Sequence, residues 1–211
     1  MYYFVKSPRW LQWLYSQGIW KIDTCEKIIY LTFDDGPHPE ITPFVLDWLK
    51  KYNAKATFFC IGDNVRKFPE VYQQILKSQH AVGNHTMHHL NGWKTPDAIY
   101  LKDIQEAKNW IASGLFRPPY GRISRFQLSN LKKQAFRLQP IFWTVLSGDF
   151  DSSIDGETCT INVCRNTTAG SIVVFHDSEK AFDRLKVALP KMLAYFSEKG
   201  YRFEKLQEAM L

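Results

Sequence analysis

The sequence predicts an α/β fold: mostly parallel strands closed into a small, incomplete β/α barrel, with a doubly wound open sheet as the alternative. Three observations predict it. Strand-like and helix-like segments alternate about seven times along 211 residues, the pattern of repeated right-handed βα crossovers. Forty-five per cent of the residues are hydrophobic, and no linker, repeat or low-complexity tract divides them, so one sizeable core forms. The unusual polar clusters each follow a strand candidate, where both architectures gather their chemistry.

The elements follow in order. Residues 1–24 form an aromatic-rich N-terminal segment, and residues 25–211 carry the α/β domain. Trp10, Trp13, Leu14 and Ile19 make one apolar helical face in the first segment. It suits a cover over an open end of the core, or a weak membrane-surface contact with Lys6 and Arg9 at lipid headgroups. Strand candidates are 28–33, 56–61, 80–83, 114–117, 139–146, 171–175 and 201–205, each an apolar, β-branched or aromatic run. The helix over 43–52 is expected to take Thr42 as its N-cap and Pro43 at its first position. Further helices are expected at 65–77, 96–111, 124–135, 157–166 and 180–198. In the third of these six, Ile99, Asp103, Ile104, Ala107 and Ile111 divide between an apolar and a charged face.

Composition narrows the function classes. Net charge is +6 and the sequence pI is about 9.1, which favours anionic partners. The Lys and Arg residues are scattered, with no basic arm or nucleic-acid motif, so no nucleic-acid partner is expected. Cys25, Cys60, Cys159 and Cys164 form no C-x-x-C pair and read as reduced thiols, with one or two bridges as the alternative that their even number leaves open. No apolar run reaches the length of a membrane span. The first ten residues lack a secretory pattern, and Pro8 interrupts them. With Met1 as the native start, a cytoplasmic protein is expected; an exported protein whose leader was removed and replaced by Met would read the same.

Five polar clusters carry the chemistry. The first strand ends in Asp34 and Asp35, then Gly36-Pro37. Successive side chains at a strand end diverge, so one acid can hold a metal while the other handles a proton; spacing leaves open which does which. His85 and His89 stand four apart, and on a helical turn they share a face and chelate one cation. His88 competes as a ligand without that spacing. Two imidazoles and one carboxylate with an open position describe a catalytic zinc-type site. Arg117 is the expected partner of a buried carboxylate. Pro118-Pro119 stiffens the backbone ahead of Tyr120, whose N–H suits an oxyanion. His176 emerges from an apolar run as a candidate general acid, with Asp149, Asp151 or Asp177 holding its imidazole. His38 and His80 carry no partner pattern.

Thr32-Phe-Asp-Asp-Gly-Pro37, His85-Thr-Met-His-His89, Arg117-Pro-Pro-Tyr-Gly121, Gly148-Asp149 and Val174-Phe-His176-Asp177 resemble, in order, the five motifs of the polysaccharide deacetylases. This is the NodB-homology family, or carbohydrate esterase family four. The resemblance spans roughly residues 28–178 and implies a distorted (β/α)7 barrel. It implies that Asp35, His85 and His89 ligate a divalent metal, usually Zn2+, with Co2+ or Ni2+ as substitutes. By the same resemblance Asp34 is the catalytic base, Arg117 tethers it, the Tyr120 N–H serves the oxyanion, and Asp149 partners the general acid His176. Thr86 fills the small hydroxyl position between the ligands. Substrate would touch Tyr120, Phe150 and Val174. Phe150 stands where the family often has Trp, and Val174 where it has Leu, so the departures concern the substrate pocket. The expected reaction is metal-dependent hydrolysis of N-acetyl groups on amino sugars of an acetylated glycan. The competing readings are an O-acetyl esterase of the xylan type and a non-catalytic glycan-binding or membrane-surface barrel.

Overall fold

The computed structural model describes residues 3–207. Its strands are β1 (Ile28–Asp34), β2 (Thr57–Cys60), β3 (Ala81–Asn84), β4 (Leu115–Phe116), β5 (Gln139–Pro140), β6 (Val145–Leu146), β7 (Ile172–His176) and β8 (Arg202–Glu204). They curl in the order β5-β4-β3-β2-β1-β7-β6, with every neighbouring pair parallel. β8 pairs with the first half of β1, at Ile28–Tyr30, on the edge that β2 takes higher up at Thr32–Asp34. The result is an incomplete parallel barrel, the first of the two expected architectures.

β1 is buried on both faces, as its unbroken apolar run requires. Ile29, Leu31 and Phe33 point outward to a core shared with α2 (Ile41–Lys51), α7 (Gly156–Asn166) and α8 (Glu179–Glu198). Tyr30 belongs to the second face, with Phe59, Leu115, Ile141 and Ile172. Period-two alternation puts Thr32 and Asp34 on that same inner face. The strand therefore delivers one carboxylate to the inside of the barrel at its upper rim.

Several expected boundaries shift. The segment 139–146 is two strands rather than one: β5 pairs with β4 and β6 with β7, at opposite ends of the sheet. Between them the Ile141 and Phe142 carbonyls turn to the Arg117 side chain, which removes them from any ladder. The expected helix 65–77 is α3 (Gly62–Lys67) and α4 (Pro69–Lys77), broken at Phe68 because Pro69 disfavours the α conformation in the residue before it. α2 begins at Ile41, ahead of the expected Thr42 cap. His38 Nδ1 accepts from the Glu40 and Ile41 N–H groups instead, and Thr42 Oγ1 accepts from His38 N. The helix expected at 96–111 is α5 (Asp97–Ala107). α6 (Arg125–Leu131) opens with a Ser124–Gln127 capping box.

The N-terminal segment lies across the seam between β5 and β6. Lys6 bridges Val145, Ile19 bridges Ile141, and Trp20 stacks on Phe142 at 4.4 Å. Trp10 and Trp13, in the short helix α1 (Arg9–Leu14), remain 59% and 79% exposed. All four cysteines are free thiols. No helix among the described residues is long and apolar enough to cross a membrane.

Candidate active site

The expected site residues converge on the rim at the carboxyl ends of the strands. Asp34 pairs in register with His176 across β1 and β7, and paired residues of a parallel ladder project from the same face. Asp34 is 3% exposed, and its Oδ1 accepts from Arg117 Nη1 at 2.7 Å. Arg117 has no solvent exposure at all, so it is no strand-end surface charge. Its remaining donors reach Thr32 Oγ1 at 2.7 Å, Phe142 O at 3.1 Å and Ile141 O at 3.3 Å, and its guanidinium lies 4.1 Å from the Phe59 ring centre. Four of the five donors of this fixed fork are engaged, which locks the carboxylate in place.

Asp35 leaves the strand with φ at 80°, which swings its carboxylate away from Asp34. Gly36 follows because nothing larger fits: a Cβ there would lie 2.1 Å from Asp177 Oδ2. Asp35 Oδ1 sits 3.2 Å from His89 Nε2 and 3.8 Å from His85 Nε2, yet it is buried without a hydrogen-bond partner. One ligand atom from each residue falls within 4.8 Å of the others. Burial opposes the Asp35 charge, but the facing His89 and the positive charge of His176 hold the carboxyl well below the ordinary range. A buried, ionised, unpartnered oxygen between two imidazoles fits a cation.

The imidazoles are prepared for the same task. His85 Nδ1 lies 2.7 Å from the Arg117 carbonyl; donation there leaves the Nε2 lone pair facing Asp35. Burial pushes the His85 pKa down to about 4, against the pull of Asp34 and Asp35, so the ring is neutral at pH 7, the form that can ligate a metal. His85 and His89 do not share a helical turn, contrary to the expectation from their spacing. They flank a loop after β3 in which Thr86 and His89 adopt positive φ, 65° and 56°. That loop is held by Asn84 Oδ1, which accepts from Thr86 N at 2.8 Å, and by Asp103 of α5. Asp103 Oδ2 accepts from Met87 N at 2.9 Å and His88 N at 3.0 Å, while its Oδ1 lies 2.6 Å from His88 Nδ1. His88 is thereby turned away from the other two imidazoles. Asp103, which holds this loop, is the residue that the pattern of motifs did not single out.

On the opposite side of the site, Asp149 holds His176 doubly. Its Oδ2 accepts from His176 N and its Oδ1 lies against His176 Nδ1, both at 2.7 Å. Burial lowers the imidazole pKa, but Asp149, with Asp35 and Asp34 beyond it, outweighs that and raises it to about 10. The ring is a cation at neutral pH. The other two acids are engaged elsewhere: Asp151 Oδ1 accepts from Ser153, and Asp177 binds Gly36 N and Thr42 Oγ1. Burial raises the Asp177 carboxyl to about 8, with Asp35 adding to the effect.

Tyr120 sits in a short turn (Pro119–Gly121) with φ at 60°, its ring 4.6 Å from that of His89. Phe150 stands edge-on to His176 at 5.4 Å. Val174 is fully buried within β7, between Thr32 and Leu146, and the structure does not bring it to the open rim. His80 lies far below the rim, at the amino end of β3, where its Nδ1 accepts from Ala56 N.

Comparison with known proteins agrees with this geometry. Residues 21–138 match the family described as Polysaccharide deacetylase. A peptidoglycan-N-acetylglucosamine deacetylase of Bacillus cereus is 37% identical over 197 residues, covering 90% of this chain and 92% of the relative. A chitooligosaccharide deacetylase of Azorhizobium caulinodans is 34% identical over 164 residues, covering 74% and 77%. The crystal structure of the Bc1960 peptidoglycan N-acetylglucosamine deacetylase superposes with a TM-score of 0.82 at 31% identity, covering 95% of both chains. Its likeness extends over the whole curled sheet, the distorted (β/α)7 barrel that the motifs implied. Motifs, barrel and relatives coincide, and the chain belongs to the polysaccharide deacetylase family.

Proposed function

We propose that this protein is a metal-dependent carbohydrate deacetylase that hydrolyses N-acetyl groups of amino sugars in a glycan, releasing acetate. The orphaned Asp35 Oδ1 between the His85 and His89 rings carries the reading. Asp35, His85 and His89 would hold a divalent cation, and a two-nitrogen, one-oxygen set favours Zn2+ over Mg2+ or Ca2+, with Co2+ and Ni2+ as workable substitutes. When bound, the cation supplies Lewis-acid polarisation of the acetamide carbonyl and acidifies water toward a pKa of about 7.

The chain's own groups do the rest. Asp34, fixed by Arg117, accepts the proton of the attacking water. The Tyr120 N–H, set by the turn after Pro118-Pro119, donates to the developing oxyanion. His176, held as a cation by Asp149, gives a proton to the departing amine. Phe150 beside His176 bounds the space for the acetyl group. The substrate is an acetylated glycan, as the names of the relatives indicate for those proteins. Acetate release from a panel of N-acetylglucosamine oligomers, peptidoglycan and O-acetylated xylan, with and without chelator, tests the reading. Chelator-sensitive release from the N-acetylated members supports it. Release from xylan alone makes the protein an O-acetyl esterase, and no release from any member leaves a non-catalytic barrel.

A further inference from the structure

The N-terminal segment reaches the rim from outside the barrel. Leu146 N donates to Val5 O at 2.8 Å, Ser7 N to Thr144 O at 2.9 Å, and Lys6 bridges Val145 in antiparallel sense. β6 runs upward toward Asp149, so the antiparallel partner climbs to the same rim as it approaches Tyr3. There the Tyr3 ring stands 5.0 Å from Phe150, edge to face, and Phe150 stands 5.4 Å from His176. The Tyr3 hydroxyl overlies the turn between them: a Cβ on Gly148 would lie 2.7 Å from it. Gly148 has φ at 83°, so the backbone favours glycine there, and the absence of a side chain leaves room for the Tyr3 hydroxyl. Burial, with the charge of Asp151 behind it, raises the Tyr3 phenol to about 12, which keeps it protonated as a donor toward Asp151.

The turn that carries Asp149 has two further contacts. Arg184 of α8 donates from Nε to Asp149 O at 2.7 Å, and Tyr3 lies against Gly148 and Phe150 on either side of Asp149 in the chain. Asp149 fixes the imidazole of His176 through Nδ1 only, leaving the tilt of the ring to its packing neighbours. Phe150 is that neighbour, and Tyr3 is what stands behind Phe150.

We propose that Tyr3 is a positioning residue for deacetylation: the segment before α1, bridged to β6 at Lys6, presses Tyr3 against Phe150 and so sets the tilt of His176. The proposal rests on the reading of His176 as general acid. It gives the N-terminal segment a part in the reaction as well as in covering the seam. Small errors in the aim of a proton donor are expensive, since a misplacement of about 1 Å can cost on the order of 10²-fold in rate.

The test uses the full chain loaded with Zn2+ and acetate release from an N-acetylglucosamine tetramer. Tyr3→Ala is expected to lower kcat by roughly ten- to a hundredfold, with KM and zinc affinity little changed. Tyr3→Phe, which keeps the ring, is expected to recover most of the loss. In metal-free protein, the His176 imidazole nitrogen resonances should move in Tyr3→Ala and hold in Tyr3→Phe; this reads the proposal even if catalysis is too slow to measure. Wild-type kcat or unmoved resonances in Tyr3→Ala overturn it, as does an equal loss in Tyr3→Phe. His176→Ala is measured alongside. If that variant is inactive while Tyr3→Ala is normal, only the Tyr3 proposal fails; if it is fully active, the acid assignment fails and the proposal with it.

Discussion

Asp103 clamps His88, accepting its backbone N–H at 3.0 Å and facing its ring nitrogen at 2.6 Å. A carboxylate from α5 thereby shapes the loop whose two ends are the ligand candidates His85 and His89. Removing it leaves the Met87 and His88 N–H groups without their acceptor and lets the loop relax. Asp103→Ala is expected to weaken Zn2+ binding by about 10–100-fold, while kcat at saturating zinc falls much less. Competition with a chromogenic chelator measures the first and acetate release the second. Unchanged zinc affinity would count against the clamp.

Asp34 and His176 stand side by side on neighbouring strands, and neither is a candidate ligand. Asp34→Asn keeps the size and one acceptor for Arg117 but removes the base. A loss of about 10²–10⁴-fold in kcat is expected, with zinc still bound. His176→Ala should lose a similar amount. Near-wild-type turnover in both variants, checked at matched metal content, would remove them from the mechanism.

The charge on His176 has a sign that can be checked. Its pKa is raised from 6.5 to about 10, so the stability it lends is complete below pH 6.5 and disappears as pH rises through the folded value. Activity that needs the imidazolium falls in the same direction. A bound dication repels that proton and draws the alkaline limb below the metal-free value. Asp149→Asn removes the largest source of the upward shift, and the limb should move further toward neutral pH. A pH profile of kcat, with an NMR titration of His176 in metal-free protein, reads both; a limb that ignores Asp149 contradicts the pairing.

His80 behaves in the opposite sense. Burial, aided by Lys55 and Lys205, lowers its pKa from 6.5 to about 4. Both folded and unfolded forms are neutral above pH 6.5, where its contribution is intact; stability is lost as pH falls through the window down to about 4. His80→Gln keeps an acceptor for the Ala56 N–H and removes the titration. Urea midpoints at pH 7 and pH 4.5 should differ less in the variant than in the parent protein.

β1 and β7 were legible almost to the residue, because their apolar runs are continuous and end in charged or turn-forming groups. So was the convergence of the five polar clusters, since parallel βα units place every strand end on one rim. The break at Phe68-Pro69 was readable from local sterics. The split of 139–146 was not, because the carbonyls that interrupt it answer to Arg117, more than twenty residues earlier. His85 and His89 have helical spacing, yet the loop reaches the same convergence through two residues of positive φ. Asp103 did carry a signal: Tyr100, Asp103, Ile104 and Ala107 are the buried positions of α5, and a carboxylate in that stripe asks for a partner. Ile99, grouped with the apolar face by sequence, is exposed instead.

Arg117 also fastens the two edges of the sheet to β1, since one guanidinium grips Thr32 and Asp34 of that strand and the carbonyls that bend the chain between β5 and β6. Substituting it strands several buried partners at once, so damage there should surface as insoluble protein before it surfaces as slow enzyme.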